Sequence, residues 1–191
     1  MTKKEVMLER MTRREAREAI ESGRIKAAVI PTGSIEQHLE HLEMGHDIRS
    51  STYVASEAAL RLYPEVIVAV PMSIGISEHH MKFKASLSAK PGSFLAVLYD
   101  SCESLLRHGI KNILILNGHG GNTVPVQSSI NQFLLRFEAN VHFRPYWDLI
   151  PNEVYERELR TKVVPGHANE FETAFALAAF SESVRTEVLQ S

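Results

Sequence analysis

The sequence has little cysteine, no long apolar run and no excess of charge of one sign. Cys102 is the only cysteine among the 191 residues, which excludes an intrachain disulfide and an all-cysteine zinc site. The apolar runs are too short for a membrane-spanning helix, which needs about 20 such residues. The net charge is −2 and the basic residues are dispersed, so we expect no nucleic-acid partner and no membrane surface.

The composition that remains is typical of a soluble globular protein. Hydrophobic residues make up 44% of the chain and charged residues 23%. We therefore predict a single domain over residues 1–191, which is long enough to bury a substantial core. The first 20 residues are charged and lack the apolar stretch of a secretory signal, so the expected location is cytoplasmic.

Strand and helix patterns alternate along the chain, which predicts an α/β fold with a mainly parallel sheet. Apolar runs predict strands over 25–33, 66–75, 112–118 and 139–147. Helical spacing predicts helices over 12–23, 51–62, 93–109, 122–137 and 171–180. Thr12 and Glu15 have the spacing of a capping box at the first helix, Ser93 can cap the third, and Gly109 can end it.

Glu36, His38 and Asp47 follow the first predicted strand within twelve residues. In extended backbone, residues two apart point to the same side, so Glu36 and His38 can face one metal site. Polar loop residues after a strand are an equally good interpretation of that pair by itself. Asp47 favours the metal site, because a carboxylate can bridge two cations, and mixed carboxylate and imidazole ligands suit Zn, Mn or Fe. His41 and His46 are expected to have an orienting or solvent-facing role.

The segment NGHGGN places His119 on a glycine-rich turn directly after the third predicted strand. Its glycines are expected to allow backbone conformations closed to other residues, so that His119 projects from a sharp turn. A plain turn or a phosphate-binding loop is the alternative, although the spacing matches no nucleotide-binding motif. Because the carboxyl ends of parallel strands meet at one sheet edge, His119 is expected near the ligands that follow the first strand.

The segment GHANEFETAF places His167 and Glu172 at the start of the last predicted helix. They could supply an acid–base group and a fifth metal ligand. Asn169 and Glu172 also have the spacing of an N-cap and its partner, and by spacing alone the capping role is favoured for Glu172. His79 and His80, after the second strand, are either a solvated pair or contacts to the substrate.

Together these motifs resemble the creatininase family of metal-dependent amidohydrolases. The carrying segments are GSIEQHLEHLEMGHD, NGHGGN and HANEFETA, and the similarity extends over roughly residues 25 to 180. The resemblance implies a three-layer α/β/α sandwich, a small-molecule amide substrate and a homo-oligomer. It also implies that the chain is shortened at its C-terminus, because family members generally continue beyond the last helix.

The resemblance further implies a site with two divalent metal ions. Glu36, Asp47 and His119 would hold one ion, and His38 and Asp47 the other. Creatininase itself has a glutamate where this chain has Gly121, so Glu172 is the expected substitute. His167 matches the catalytic histidine of the family, which implies that it donates a proton to the leaving nitrogen.

The predicted function is therefore hydrolysis of a linear or cyclic C–N amide bond at a dinuclear metal centre, by hydroxide that bridges the ions. The altered segment FKAS at 83–86 and Gly121 argue against creatinine and favour a formamide or a small cyclic amide. A family member without catalytic activity, which keeps the fold for metal binding or assembly, is the first alternative. A dinuclear phosphoesterase is a weaker one, because its sequence blocks are missing.

Overall fold

The computed structural model describes residues 4–189, and a parallel sheet of four strands lies at the centre of that part of the chain. The strand order is β2–β1–β3–β4, and each neighbouring pair is parallel. The strands are β1 (Ala27–Thr32), β2 (Val66–Val68), β3 (Asn112–Asn117) and β4 (Asn140–Pro145). The helices are α1 (Arg13–Glu21), α2 (His46–Arg61), α3 (Pro91–Arg107), α4 (Gly120–Leu134), α5 (Asn152–Glu158) and α6 (Glu170–Ala179).

Helices cover both faces of this sheet. Successive strand residues point to opposite sides, so each strand contributes side chains to both faces. In β3, Ile113 and Ile115 pack into a core that includes Phe94 of α3 and Val126 of α4. Leu116, on the other face, packs into a second core with residues of α2 and α6. The predicted α/β/α sandwich is confirmed.

Several helix ends lie where short sequence patterns predicted them. Thr12 and Glu15 form both hydrogen bonds of the capping box at α1. Gly109 follows α3 with φ +86°, a left-handed conformation that favours glycine. The prediction for Ser93 is wrong: α3 begins at Pro91, whose missing N–H costs nothing at the first helical position.

Other predicted boundaries were also wrong. Helix α2 begins at His46 rather than at residue 51, so Asp47 lies in its first turn. Helix α4 begins at Gly120, two residues before the expected start. Strand β2 ends at Val68, well before residue 75, and Pro71, which has no N–H to donate, lies in the segment that leaves the sheet. Helix α5 had not been predicted.

The parallel topology brings three loops to one edge of the sheet. The chain leaves β1 at Thr32, β2 at Val68 and β3 at Asn117, all at the carboxyl ends of the strands. Open α/β sheets bind their ligands at this edge. Within residues 4–189, we find no helix that is both long and apolar enough to span a membrane.

Candidate metal centre

Glu36 and His38 lie in the loop after β1, and both side chains are buried, with 2% and 0% of their surface exposed. The Nδ1 of His38 lies 3.1 Å from the main-chain oxygen of Glu36. Since a carbonyl can only accept, Nδ1 carries a proton, and Nε2 is the nitrogen that could bind a metal ion once its own proton is displaced. Histidines that bind metals commonly donate their second nitrogen to a carbonyl in this way.

Asp47 lies between two histidines in the first turn of α2. Its Oδ1 is 2.9 Å from Nε2 of His38, and its Oδ2 is 2.9 Å from Nδ1 of His119. The contact with His38 has the geometry of a hydrogen bond, whereas Oδ2 makes none with any residue in the range 4–189. Each carboxylate oxygen therefore faces a different imidazole.

His119 projects from the turn between β3 and α4, as the sequence predicted. Its Nε2 is 3.1 Å from the main-chain oxygen of Ile76, which leaves Nδ1 to face Glu36 Oε2 at 3.3 Å as well as Asp47. The expected reason for the glycines was wrong: the positive-φ glycines of the described chain are Gly23 and Gly109. Gly118 and Gly121 are needed because other atoms approach their α-carbons closely.

Two asparagines of NGHGGN connect the loops that carry these ligands. Asn117 accepts a hydrogen bond from Thr32 Oγ1 at 2.9 Å and donates to the main-chain oxygen of His119 at 2.6 Å. Asn122 donates to the oxygen of Gly33 at 3.2 Å and accepts from the N–H of Ile76 at 2.9 Å. These hydrogen bonds connect the loops that follow β1, β2 and β3.

Glu172 and His167 reach the same edge, although they follow Glu36 by about 130 residues in sequence. Glu172 is buried and lies close to His38 and Asp47, whereas the side chain of His167 is 33% exposed and its Nδ1 is 3.6 Å from Glu36 Oε1. Asn169 caps α6 by accepting from the N–H of Glu172. The Glu172 carboxylate does not close the capping box, because it accepts from Ala168 N–H instead.

His79 and His80 contact the site more closely than their sequence context indicated. The Nδ1 of His80 is 3.1 Å from Glu36 Oε1, and the His79 ring stacks parallel to His119 with centroids 5.7 Å apart. Ser77, which had not been singled out, donates a short hydrogen bond to Glu36 Oε2. The run of polar residues after the second strand was the sequence feature that could have indicated Ser77, His79 and His80.

His41 and His46 are not solvent-facing, because both side chains are buried. His41 Nε2 lies 2.9 Å from the hydroxyl of Thr173 on α6. His46 packs its ring 5.2 Å from that of His38, and its Nε2 lies 3.3 Å from the hydroxyl of Ser50. Both support the neighbouring elements and neither lies in a cluster of ligands.

Ligand atoms of these residues gather in three overlapping groups, each with its atoms within 4.8 Å of one another. The groups are Glu36–His79–His119, His38–Asp47–Glu172 and Glu36–His38–His167. Glu36, His38, Asp47, His119 and Glu172, the five predicted ligands, are thus brought together. His79 was not among the predicted ligands and also meets this criterion.

Opposite charges in the site shift the pKa values of its histidines. Burial alone would lower the pKa of His38, but the hydrogen bond and charge of Asp47 raise it to about 9. For His119, burial again lowers the pKa, and the carboxylates of Asp47 and Glu36 raise it to about 10. Burial raises the pKa of Glu172 to about 7, although the charge of His38 opposes this.

The donor set fits a divalent cation. Oδ2 of Asp47 is buried and has no hydrogen bond of good geometry among the described residues, although Nδ1 of His119 lies 2.9 Å away. The ring nitrogens of His38 and His119 that face the two Asp47 oxygens are the ones that do not contact main-chain oxygens. A cation bound there would satisfy both the carboxylate and the imidazoles.

The match to a protein family extends over most of the chain. A family model described as Creatininase, creatinine amidohydrolase, matches residues 9–191. The chain belongs to the creatininase family. This membership confirms the resemblance that rested on GSIEQHLEHLEMGHD, NGHGGN and HANEFETA.

Curated relatives in the creatininase family include enzymes with different substrates. The chain is 25% identical over 171 residues to creatinine amidohydrolase of Pseudomonas putida, which covers 82% of this chain and 65% of the relative. It is 26% identical over 191 residues to 3-dehydro-scyllo-inosose hydrolase of Thermotoga maritima, which covers 95% and 58%. The chain therefore spans less than two thirds of the length of these relatives.

Solved creatininase structures share the fold. A manganese creatininase superposes with a TM-score of 0.85 at 23% identity, over 96% of this chain and 76% of that one. A variant creatininase of the Zn–Zn type superposes with a TM-score of 0.84 at 24% identity, over 97% and 76%. At such identities the similarity shows the fold alone.

Proposed function

We propose that this creatininase-family chain is a hydrolase of C–N amide bonds that depends on two divalent metal ions. The observation that carries the proposal is the position of Asp47, whose two carboxylate oxygens face ring nitrogens of two different histidines at 2.9 Å. A carboxylate in that position can bridge two cations. Zn, Mn and Fe are the candidate metals, since the ligands are a mixture of carboxylate and imidazole.

The proposed ligands divide into two sets that share Asp47. Glu36, Asp47 and His119 form one set, because Nδ1 of His119 faces both carboxylates. His79, which groups with Glu36 and His119, could extend it. His38, Asp47 and Glu172 form the other. Glu172 is available as a ligand because its carboxylate is buried near His38 and does not close the helix cap.

Bound divalent ions would act as Lewis acids and lower the pKa of water towards about 7. The side chains supply the remaining functions. His167, whose side chain is 33% exposed and lies beside Glu36, is the proposed proton donor to the leaving nitrogen, a step typically worth about 100- to 10,000-fold. Glu172, which is buried close to His38 and Asp47, is also the proposed second acid–base group.

The proposed substrate is a small formamide or cyclic amide, and creatinine is expected to be a poor one. Position 121, where creatininase itself carries a glutamate, is here Gly121, and FKAS replaces the usual substrate segment at 83–86. A cytoplasmic location and a homo-oligomer belong to the same proposal, and both rest on the sequence and on the family.

Metal content of protein purified without chelator tests the proposal, with Asp47→Ala as the variant. We expect about two equivalents of Zn, Mn or Fe in the wild type by elemental analysis, and loss of both metal and amide hydrolysis in the variant. Asp100→Ala, which removes an exposed carboxylate on α3, is the matched control and should retain both.

Three results would contradict parts of the proposal. Protein that binds none of these ions, even after they are added, is not a metal-dependent hydrolase. Full metal retention in Asp47→Ala would contradict the bridging role. Two bound ions without hydrolysis of any linear or cyclic amide would favour the family member that keeps the fold without catalysis.

A further inference from the structure

Gln37 lies between the proposed ligands Glu36 and His38, and its side chain turns towards His167. The amide Nε2 of Gln37 is 2.7 Å from the ring Nε2 of His167, on a segment 130 residues away in sequence. The main-chain N–H of Gln37 donates to Ser86 Oγ at 3.2 Å, so the residue is anchored by the loop that follows β2.

The orientation of the Gln37 amide follows from its second contact. Its Oε1 accepts a hydrogen bond from the main-chain N–H of Leu39 at 3.1 Å. A main-chain N–H can only donate, so the oxygen of the amide has to face Leu39 and its NH₂ group has to face His167. Turning the amide over would place two donors against each other at Leu39.

The amide in turn determines which ring nitrogen of His167 carries the proton. An NH₂ group has no acceptor, so Nε2 of His167 has to accept, and in the neutral ring the proton is then on Nδ1. That nitrogen lies 3.6 Å from Glu36 Oε1, on the side of the proposed metal ligands. The opposite tautomer would set N–H against NH₂ and leave a lone pair facing the carboxylate.

We infer that Gln37 is a positioning residue, which holds His167 in the tautomer that presents Nδ1–H to the candidate active site. This inference deepens the proposed function and rests on it for the role of His167 in catalysis. The tautomer itself follows from the two hydrogen bonds of Gln37 and agrees with the position of the Glu36 carboxylate. An incoming amide would therefore meet a hydrogen-bond donor at this position.

Gln37→Glu tests the inference with little change of shape. A carboxylate can accept from Leu39 N–H and from His167 at the same time, so the variant should favour the tautomer protonated on Nε2. Gln132→Glu adds the same charge at an exposed position about 18 Å along α4 from its first residue, and should change nothing. The measurement is two-bond ¹H–¹⁵N correlation NMR of the histidine rings, at a pH where His167 is neutral. Spectra are recorded with and without zinc. The signals of His167 are assigned as those that disappear in His167→Gln.

We expect the Nδ1–H tautomer of His167 in the wild type and in Gln132→Glu, and the Nε2–H tautomer in Gln37→Glu. A wild-type spectrum with the Nε2–H tautomer would overturn the inference, and so would a folded Gln37→Glu variant that keeps the wild-type tautomer. If that variant fails to fold, the tautomer of His167 in the wild-type spectrum is the test of the inference. Metal content of the same samples separates the two proposals, because metal-free protein with the expected tautomer contradicts only the metal-dependent function.

Discussion

Gly118 packs against the main-chain carbonyl group of Asp47 so closely that there is no room for a side chain at position 118. A methyl group on Gly118 would lie 3.0 Å from the carbonyl carbon of Asp47 and 3.2 Å from Cβ of Ser51, and nearer still to the carbonyl oxygen. Gly118→Ala should therefore lower the free energy of unfolding by about 1–3 kcal/mol, as overpacking does. Urea unfolding of the metal-free protein measures this.

Gly120→Ala is the matched control, two residues further on. A methyl group there meets no atom within 4 Å, and alanine is favoured over glycine in a helix by about 1 kcal/mol. We expect this variant to be as stable as the wild type or more so. Equal stability of the two variants would contradict the close packing between the β3 loop and α2.

The stability of the metal-free protein should fall between about pH 7 and pH 10. His38 and His119 have folded-state pKa values of about 9 and about 10, above the value of about 6.5 in an unfolded chain. Raised histidine pKa values stabilise the fold fully below the unfolded pKa, and this contribution is lost as the pH rises through the folded values. Urea unfolding at several pH values in this window should show a decrease of a few kcal/mol.

Replacing His38 by Asn should flatten that pH dependence, whereas His108→Asn, an exposed histidine at the end of α3, should not. Bound zinc should also flatten it, because a metal ligand is deprotonated and binding displaces the proton. A wild-type stability that stays constant or rises from pH 7 to pH 10 would contradict the ion pairs of these histidines with Asp47.

Gly121→Glu should weaken metal binding, although it introduces the residue that creatininase itself carries at this position. The Cβ of residue 121 would lie 2.5 Å from His119 Nε2 and 3.1 Å from His79 Cε1, at the hydrogen bond between His119 and Ile76. Loss of a bond that orients a metal ligand typically costs 10- to 100-fold in affinity, on the order of what we expect here. Competition with a chromophoric chelator measures it.

Gly120→Glu adds the same side chain at a position with open space around it, and should leave the affinity for zinc unchanged. If Gly121→Glu instead binds metal more tightly than the wild type, a carboxylate at position 121 can replace Glu172. That result would contradict the close packing around Gly121.

The sequence predicted the elements whose signals are local. The apolar run of β3, the capping box at Thr12 and the glycine after α3 all depend on residues within a few positions of each other. The five predicted metal ligands were found because their residue types are unusual at strand ends and match the motifs of a family. The start of α2 at His46 was missed, because its N-cap, Gly45, makes no side-chain capping bond.

What the sequence by itself determined is thus the order of strands and helices and the residue types available at one edge of the sheet. Only the tertiary structure decided that Glu172 turns away from its helix cap, that His79 stacks on His119, and that Gln37 donates to His167. Spacing along the chain encodes hydrogen bonds within a turn of helix. Contacts between residues more than 100 positions apart depend on how the loops pack together, and no local pattern contains that information.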